Sequence, residues 1–229
     1  SLRVVPDSAT VSADSTRDFD AIATDALGGT SSVDPSWGVT GSIGTINGSG
    51  LLTAATAGTG RVTAFYLGLA DSSNVTVIPG VPATVTISPS SATVSADSTR
   101  QFAATVRDLD GNIVSTPVTW SVLGGIGTID ASGLFTATTT GAGSVRATAG
   151  LVFGAAPVIV VPGAPVALTV TPDSAVVSAD STKTFTATLA DADGNATTAL
   201  VSWAVRGGIG TITGGVFTAT TAGQGWVVA

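Results

Sequence analysis

Two pentapeptides hold the residue types that could bind a metal: Asp108-Leu109-Asp110-Gly111-Asn112 and Asp191-Ala192-Asp193-Gly194-Asn195. Hard oxygen donors at alternate positions around a glycine turn are what Ca²⁺ requires. A complete calcium loop also closes with a distal bidentate Glu, and the chain contains no Glu. The matching stretch Asp25-Ala26-Leu27-Gly28-Gly29 lacks the second carboxylate. A tight turn between strands asks for the same residues on backbone grounds, because Asp and Asn bond their own backbone and Gly accepts positive φ. A turn is therefore the expected role of Asp108, Asp110, Asn112, Asp191, Asp193 and Asn195. Calcium is the alternative, and the one cofactor these residues suggest.

No catalytic set accompanies them. His, Cys and Glu are absent, so a hydrolase would need an Asp pair, a Ser-Lys dyad or a metal. Lys183 follows a Ser-Ala-Asp-Ser-Thr run whose other two copies are followed by Arg17 and Arg100, the pattern of a surface cation. The chain is expected not to be an enzyme. Asn47, Asn74 and Asn195 each open an Asn-x-Ser/Thr triplet. Such triplets arise by chance in a Ser/Thr-rich chain, and they would become glycosylation sites only in a host that uses them. Leu151, Val152 and Phe153 stand where a hairpin should turn, although hairpin tips are normally polar. They are expected to pack against a neighbouring repeat at a joint, with a partner-binding patch as the alternative.

The elements that position these residues recur at a fixed interval. Trp37, Trp120 and Trp203 are spaced by 83 residues, as are Phe19, Phe102 and Phe185, and Pro6, Pro89 and Pro172. The run Ser-Ala-Asp-Ser-Thr begins at 12, 95 and 178. A period of this size means tandem copies of one small domain. The copies are expected at 1–79, 80–162 and 163–229, joined by Pro79-Gly80-Val81-Pro82 and Pro162-Gly163-Ala164-Pro165. Two prolines in four residues make a stiff connector, so the expected architecture is a semi-rigid rod.

Within a copy, apolar residues alternate with polar ones, as at Phe102, Ala104 and Val106 and again at Val118, Trp120 and Val122. Val and Thr favour strands and the helix formers Glu and Met are missing, so no helix is expected. About seven short strands per copy predict an all-β chain of tandem immunoglobulin-like Greek-key β-sandwiches, with the in-phase tryptophan at the centre of each core. In that topology the acidic loop of one copy meets the Ser-Ala-Asp-Ser-Thr turn of the preceding copy. Asp14 should approach Asp108 and Asp110, and Asp97 should approach Asp191 and Asp193. Carboxylates gathered in this way must be spread, solvated or bridged by a cation.

The residues 118–150, VTWSVLGGIGTIDASGLFTATTTGAGSVRATAG, resemble the bacterial Ig-like domain of group 2, the invasin/intimin-type surface module. The first copy carries the same motifs in SWGVTGSIGTINGSGLLTAATAGTGRVTA and the third in VSWAVRGGIGTITGGVFTATTAGQGWVVA, with one residue deleted after Ile212. The resemblance implies repeated scaffolding on a bacterial or archaeal cell surface: a stalk, fibre or sheath subunit, extracellular, with other copies or flanking repeats as partners. The alternatives are an adhesin-type module recognising a glycan or receptor, for which Trp226, Phe153 and Tyr66 are the available aromatics, and a phage virion domain.

Charge and hydropathy exclude two further classes. The formal net charge is −7 and the eight Lys and Arg residues are scattered, which excludes a basic nucleic-acid surface. The longest apolar run, 151–161, is broken by Gly154 and Pro157, so no bilayer-spanning helix is expected. With Cys absent, no disulfide holds the sandwiches together. The third copy aligns its Ala229 with Ala147, so the counterpart of 148–162 and its closing strand is not supplied within it. The expectation is a piece of a longer array, with a strand donated by another molecule as the rival.

Overall fold

The computed structural model describes all residues, 1–229, and contains strands and turns but no α-helix. The first two copies share one four-stranded sheet plan. In the first, Leu2–Val5 pairs with Asp20–Thr24 and Thr30–Val33, while Ser8–Ser12, Leu69–Ile78, Gly58–Tyr66 and Ser36–Thr40 form a four-stranded sheet in that order. The second copy repeats the four-stranded sheet with Ala92–Ser95, Val152–Val161, Gly141–Ala149 and Thr119–Leu123. In both, the closing strand runs parallel to the early one, Val75 opposite Ala9 and Val158 opposite Ala92. These are the mixed, Greek-key connections of an immunoglobulin-like sandwich.

By contact density the chain forms two compact units, which do not follow the 83-residue period. One unit holds Ser1–Ile87 with 104–119 and 147–154, and the other holds 88–103, 120–146 and 155–229. The acidic-loop end of the second copy thus belongs with the first copy, and its Ser-Ala-Asp-Ser-Thr end with the third.

The core of the first unit is built from Phe19, Ile43, Leu52, Val62 and Val75, all essentially inaccessible. In the second unit Phe102, Ile126, Phe135, Val145 and Val158 take the same phase, with the Phe102 and Phe135 rings edge to face at 6.4 Å. The tryptophans are not at the centre. Trp37, Trp120 and Trp203 are half-buried and lie over the glycine turn at Gly50, Gly133 and Gly215. Each of those glycines has positive φ, and a Cβ on Gly50 would meet the Phe19 carbonyl oxygen at 2.1 Å. That close approach lets the Gly50 carbonyl accept the Phe19 N–H at 2.9 Å. The indole ring covers the turn instead of filling the core, because the phenylalanine already occupies the centre.

The third copy differs where its closing strand would lie. Its residues 174–178 form no strand, whereas Ser8–Ser12 and Ala92–Ser95 do. Val176 is fully exposed, and Phe185 and Ile209 are only partly covered although Phe19, Phe102, Ile43 and Ile126 are buried. A groove of about 600 Å³ runs between Val177 and Trp226 over Ile209 and Phe217.

One core position is chemically unsatisfied. Ser73, opposite Val62 in the first copy, is buried with its hydroxyl unpartnered, and the second copy has Ala156 in the same phase, also buried. A buried hydroxyl without a partner costs about 1–3 kcal/mol of desolvation. Ser73→Ala should therefore raise the thermal midpoint of the first unit, by about 1 kcal/mol in stability, as read from a melt followed by near-ultraviolet dichroism.

Candidate functional site

The acidic pentapeptides fold as self-bonded turns, and each is docked on the copy before it. Asp108 is 2% exposed and Asp191 3%, although they sit in loops. Burying a carboxylate demands hydrogen bonds, and both receive them. The Asp108 Oδ1 accepts the Asn112 N–H at 2.7 Å. Its Oδ2 accepts the Asn112 amide at 2.9 Å and the linker Gly80 N–H at 2.7 Å. Asp191 repeats the set with the Asn195 N–H at 2.8 Å and the Gly163 N–H at 2.8 Å.

The asparagine at the fifth position then reaches across the joint. Asn112 Nδ2 donates to the Ala55 carbonyl at 2.7 Å, and its Oδ1 accepts the Ala57 N–H at 2.9 Å. Asn195 does the same with the Thr138 carbonyl at 2.8 Å and the Thr140 N–H at 3.1 Å. One amide thus takes the carbonyl before and the N–H after a residue, Thr56 in one case and Thr139 in the other. A residue of a parallel strand bonds its neighbour in this way. The side chain stands in for one rung of a parallel ladder between copies.

The linker glycine completes the joint. A Cβ on Gly80 would fall 2.0 Å from the Asp14 carboxylate, and one on Gly163 would fall 2.2 Å from that of Asp97. Asp14, Asp97 and their third counterpart Asp180 share a left-handed backbone with φ of 67°, 68° and 64°. Asp tolerates that conformation better than most residues. Asp14 and Asp97 turn their carboxylates toward the linker and toward Asp110 and Asp193 of the following loop.

The electrostatics of the two kinds of carboxylate run in opposite directions. Burial alone would push Asp108 and Asp191 up. The bonds from Gly80 or Gly163, and from Asn112 or Asn195, outweigh it and hold both below the usual range. Asp14 and Asp97 are pushed up, first by partial loss of water and then by the hydrogen bond to, and repulsion from, Asp110 or Asp193.

The structure brings Asp108, Asp110 and Asn112 together with Asp14, and Asp191, Asp193 and Asn195 together with Asp97. No group of three carboxyl side chains has the arrangement of a metal site. Asn195 spends its amide on the joint, while Asn47 and Asn74 are exposed. Asn47 caps its own turn by accepting from Ser49 and Leu51. At the apolar tip Leu151 is fully exposed, Phe153 is 55% exposed and Val152 is partly covered. Sequence reasoning missed the linker glycines and the clamping role of the asparagines. The signal available was Gly29, which stands in the first copy at the phase of Asn112 and Asn195.

The signs fix a pH experiment. A lowered carboxylate pKa stabilises the fold above the unfolded value, and the stabilisation is lost as pH falls through the folded value. A raised one costs stability above its folded value, and the cost is relieved as pH falls through it. Asp14→Asn keeps the left-handed turn and removes the repulsion. It should raise the melting temperature of the first unit by a few degrees at pH 7, with the gain vanishing below the usual carboxylate range. Melts of both proteins from pH 7 to pH 3 read the difference.

Comparison with known proteins identifies one repeat. Residues 82–160 match the profile of the bacterial Ig-like domain (group 2). Ice-binding protein 1 of Shewanella frigidimarina is 28% identical over 211 residues, 89% of this chain and 24% of that protein. The chain therefore spans about a quarter of that curated relative. Among solved structures, the Escherichia coli adhesin FdeC aligns with a TM-score of 0.52 and 22% identity, covering 97% of this chain and 88% of that one. The protocadherin gammaB7 EC3-6 structure aligns with a TM-score of 0.51 and 13% identity, covering 98% and 70%. At these identities both attest the fold alone. By its profile, its strand plan and its core, the second repeat of this chain, residues 82–160, is a bacterial Ig-like domain of group 2.

Proposed function

We propose that the chain is a structural spacer of an extracellular surface protein, a series of Ig-like repeats whose joints are locked by hydrogen bonds. The three copies fall at 1–79, 80–162 and 163–229. The observation that carries this reading is the recurrence, atom for atom, of one joint: buried Asp, linker Gly, and Asn bonded to the backbone of the preceding copy. A flexible tether would need none of these. No His, Cys or Glu offers catalysis, and the acidic pentapeptides are engaged in the joints. The likeness in sequence to the Shewanella relative and in fold to the adhesin FdeC supports the surface location.

The absence of cysteine permits a direct test. Spin labels on Thr53 and Ser115, exposed residues of the first unit on either side of the first joint, should give a narrow distance distribution. Asn112→Ala removes two bonds across the joint, each worth about 0.5–1.5 kcal/mol, and should broaden it. Equal widths in the two proteins would remove the locked-spacer reading.

The groove of the third copy has room for a closing strand, and assembly by strand complementation is the rival reading in which another molecule supplies it. In the first two copies Leu69–Ile78 and Val152–Val161 lie between an early strand and a late one, burying alternate residues. In the third, Ala175, Val177, Phe217 and Trp226 line that slot. A strand with alternating small and β-branched residues would pair on both sides and cover Trp226, which is 70% exposed. On that rival reading, electron microscopy of the native material should show smooth filaments. Isolated particles at all concentrations would sink assembly while leaving the spacer role intact.

A further inference from the structure

Each joint has an acceptor side and a donor side, and the copies do not carry them equally. The acceptor side consists of the left-handed Asp of the Ser-Ala-Asp-Ser-Thr turn and a carbonyl and N–H two residues apart. In the first copy these are Asp14, the Ala55 carbonyl and the Ala57 N–H. In the second they are Asp97, the Thr138 carbonyl and the Thr140 N–H. The third copy has the same parts. Asp180 keeps φ at 64°. Thr220 and Thr221 both donate to the Ile209 carbonyl at 3.0 and 3.4 Å, as Ala55 and Thr56 donate to the Ile43 carbonyl at 3.0 and 3.4 Å. The same pair of bonds sets the backbone at Thr220 and Thr221, and the Thr220 carbonyl and the Ala222 N–H stand in phase with the pairs that Asn112 and Asn195 grip, although 222–225 form no strand where Gly58 and Gly141 begin one.

The donor side is the Asp-x-Asp-Gly-Asn loop behind an x-Gly linker. The first copy has the turn without the clamp. Asp25 accepts from Leu27 and Gly29 at 2.8 Å each, so the loop folds, but Leu27 replaces the second Asp and Gly29 replaces the Asn. It has no side chain that could reach a neighbouring backbone.

We propose that the turn end of the third repeat, Asp180 with the Thr220 carbonyl and the Ala222 N–H, is an acceptor for a further repeat of the Asp-x-Asp-Gly-Asn type. It discriminates against a repeat of the Asp-Ala-Leu-Gly-Gly type. The occupant is joined in the same chain, because the glycine of its linker has to lie between Asp180 and the buried Asp of its loop, as Gly80 and Gly163 do. The loop of this chain's own first repeat is the wrong type, because it offers Leu27 and Gly29. The order of repeats is thus written in two loop positions and one linker residue. The inference rests on the joint geometry and goes beyond the spacer reading.

The test lengthens the chain in phase, adding a second copy of residues 148–229 after Ala229. This supplies the closing strand, the Pro-Gly linker and one more loop. A companion chain carries Asp193→Leu and Asn195→Gly in the added copy alone, so the closing strand is identical in both. Amide hydrogen exchange is read at Ala57, Thr140 and Ala222. In the first lengthened chain Ala222 should join Ala57 and Thr140 in slow exchange. In the companion chain Ala222 alone should speed up by about tenfold, the scale of one or two net hydrogen bonds. Equal exchange at Ala222 in both chains, with Ala57 and Thr140 slow, would overturn the acceptor and spare the locked joints. Fast exchange at all three would overturn both. Protection of Ala222 in the unlengthened chain that rises with concentration would overturn the discrimination against the Asp-Ala-Leu-Gly-Gly type.

Discussion

The rest of the structure depends on a carboxylate buried in a surface loop. Removing Asp108 or Asp191 from water is unfavourable unless several donors replace the lost hydration. The donors available fix everything around it. Two come from the Asn of its own loop, which closes the turn. One comes from the linker, which ties the connector between copies to the loop. The linker residue has to be glycine because the other side of its backbone is already occupied by the carboxylate of the preceding turn. Remove the buried charge and neither the glycine nor the asparagine has a reason to be where it is.

The neighbouring carboxylates show the opposing cost. Asp14 and Asp97 sit in a left-handed turn, face Asp110 and Asp193, and hold their protons more tightly than an ordinary Asp. A joint built only for stability would put an uncharged residue there. Within each joint the hydrogen-bonded carboxylate and the repelled one pull stability in opposite directions as pH changes. The fold keeps both because the same Asp that is repelled also packs the linker glycine.

Much of the fold was legible because a repeat carries its own alignment. Once Trp, Phe and Pro fall at 83-residue intervals, period-2 alternation inside one copy need be read only once, and the strand plan follows. The meeting of Asp14 with the loop at 108 followed from topology alone. What did not follow was the role of the loop. Asp-x-Asp-Gly-Asn has the donors of a calcium site, and composition cannot say whether an oxygen will face an ion or an N–H. The joint bonds involve Gly80 and Ala57, residues 28 and 55 positions away, whose amide hydrogens carry no side-chain signature. The tryptophans misled for a related reason. Size suggests a central place, but Phe19 and Leu52 already fill the centre, and the indole is left to cover a glycine turn.

The clamp also explains how copies can diverge while the joint stays constant. Asn112 and Asn195 bond only backbone atoms of the copy before them, so the residues gripped are free to be Ala55 and Ala57 in one case and Thr138 and Thr140 in the other. Every non-proline residue offers the same carbonyl and N–H. What the preceding copy has to supply is a backbone course, fixed by paired bonds to Ile43 or Ile126, and not a particular side chain. Recognition is therefore carried almost entirely by the following copy, through its loop and linker. A lock of that kind lets the outer faces of successive repeats drift in sequence without loosening the joints between them.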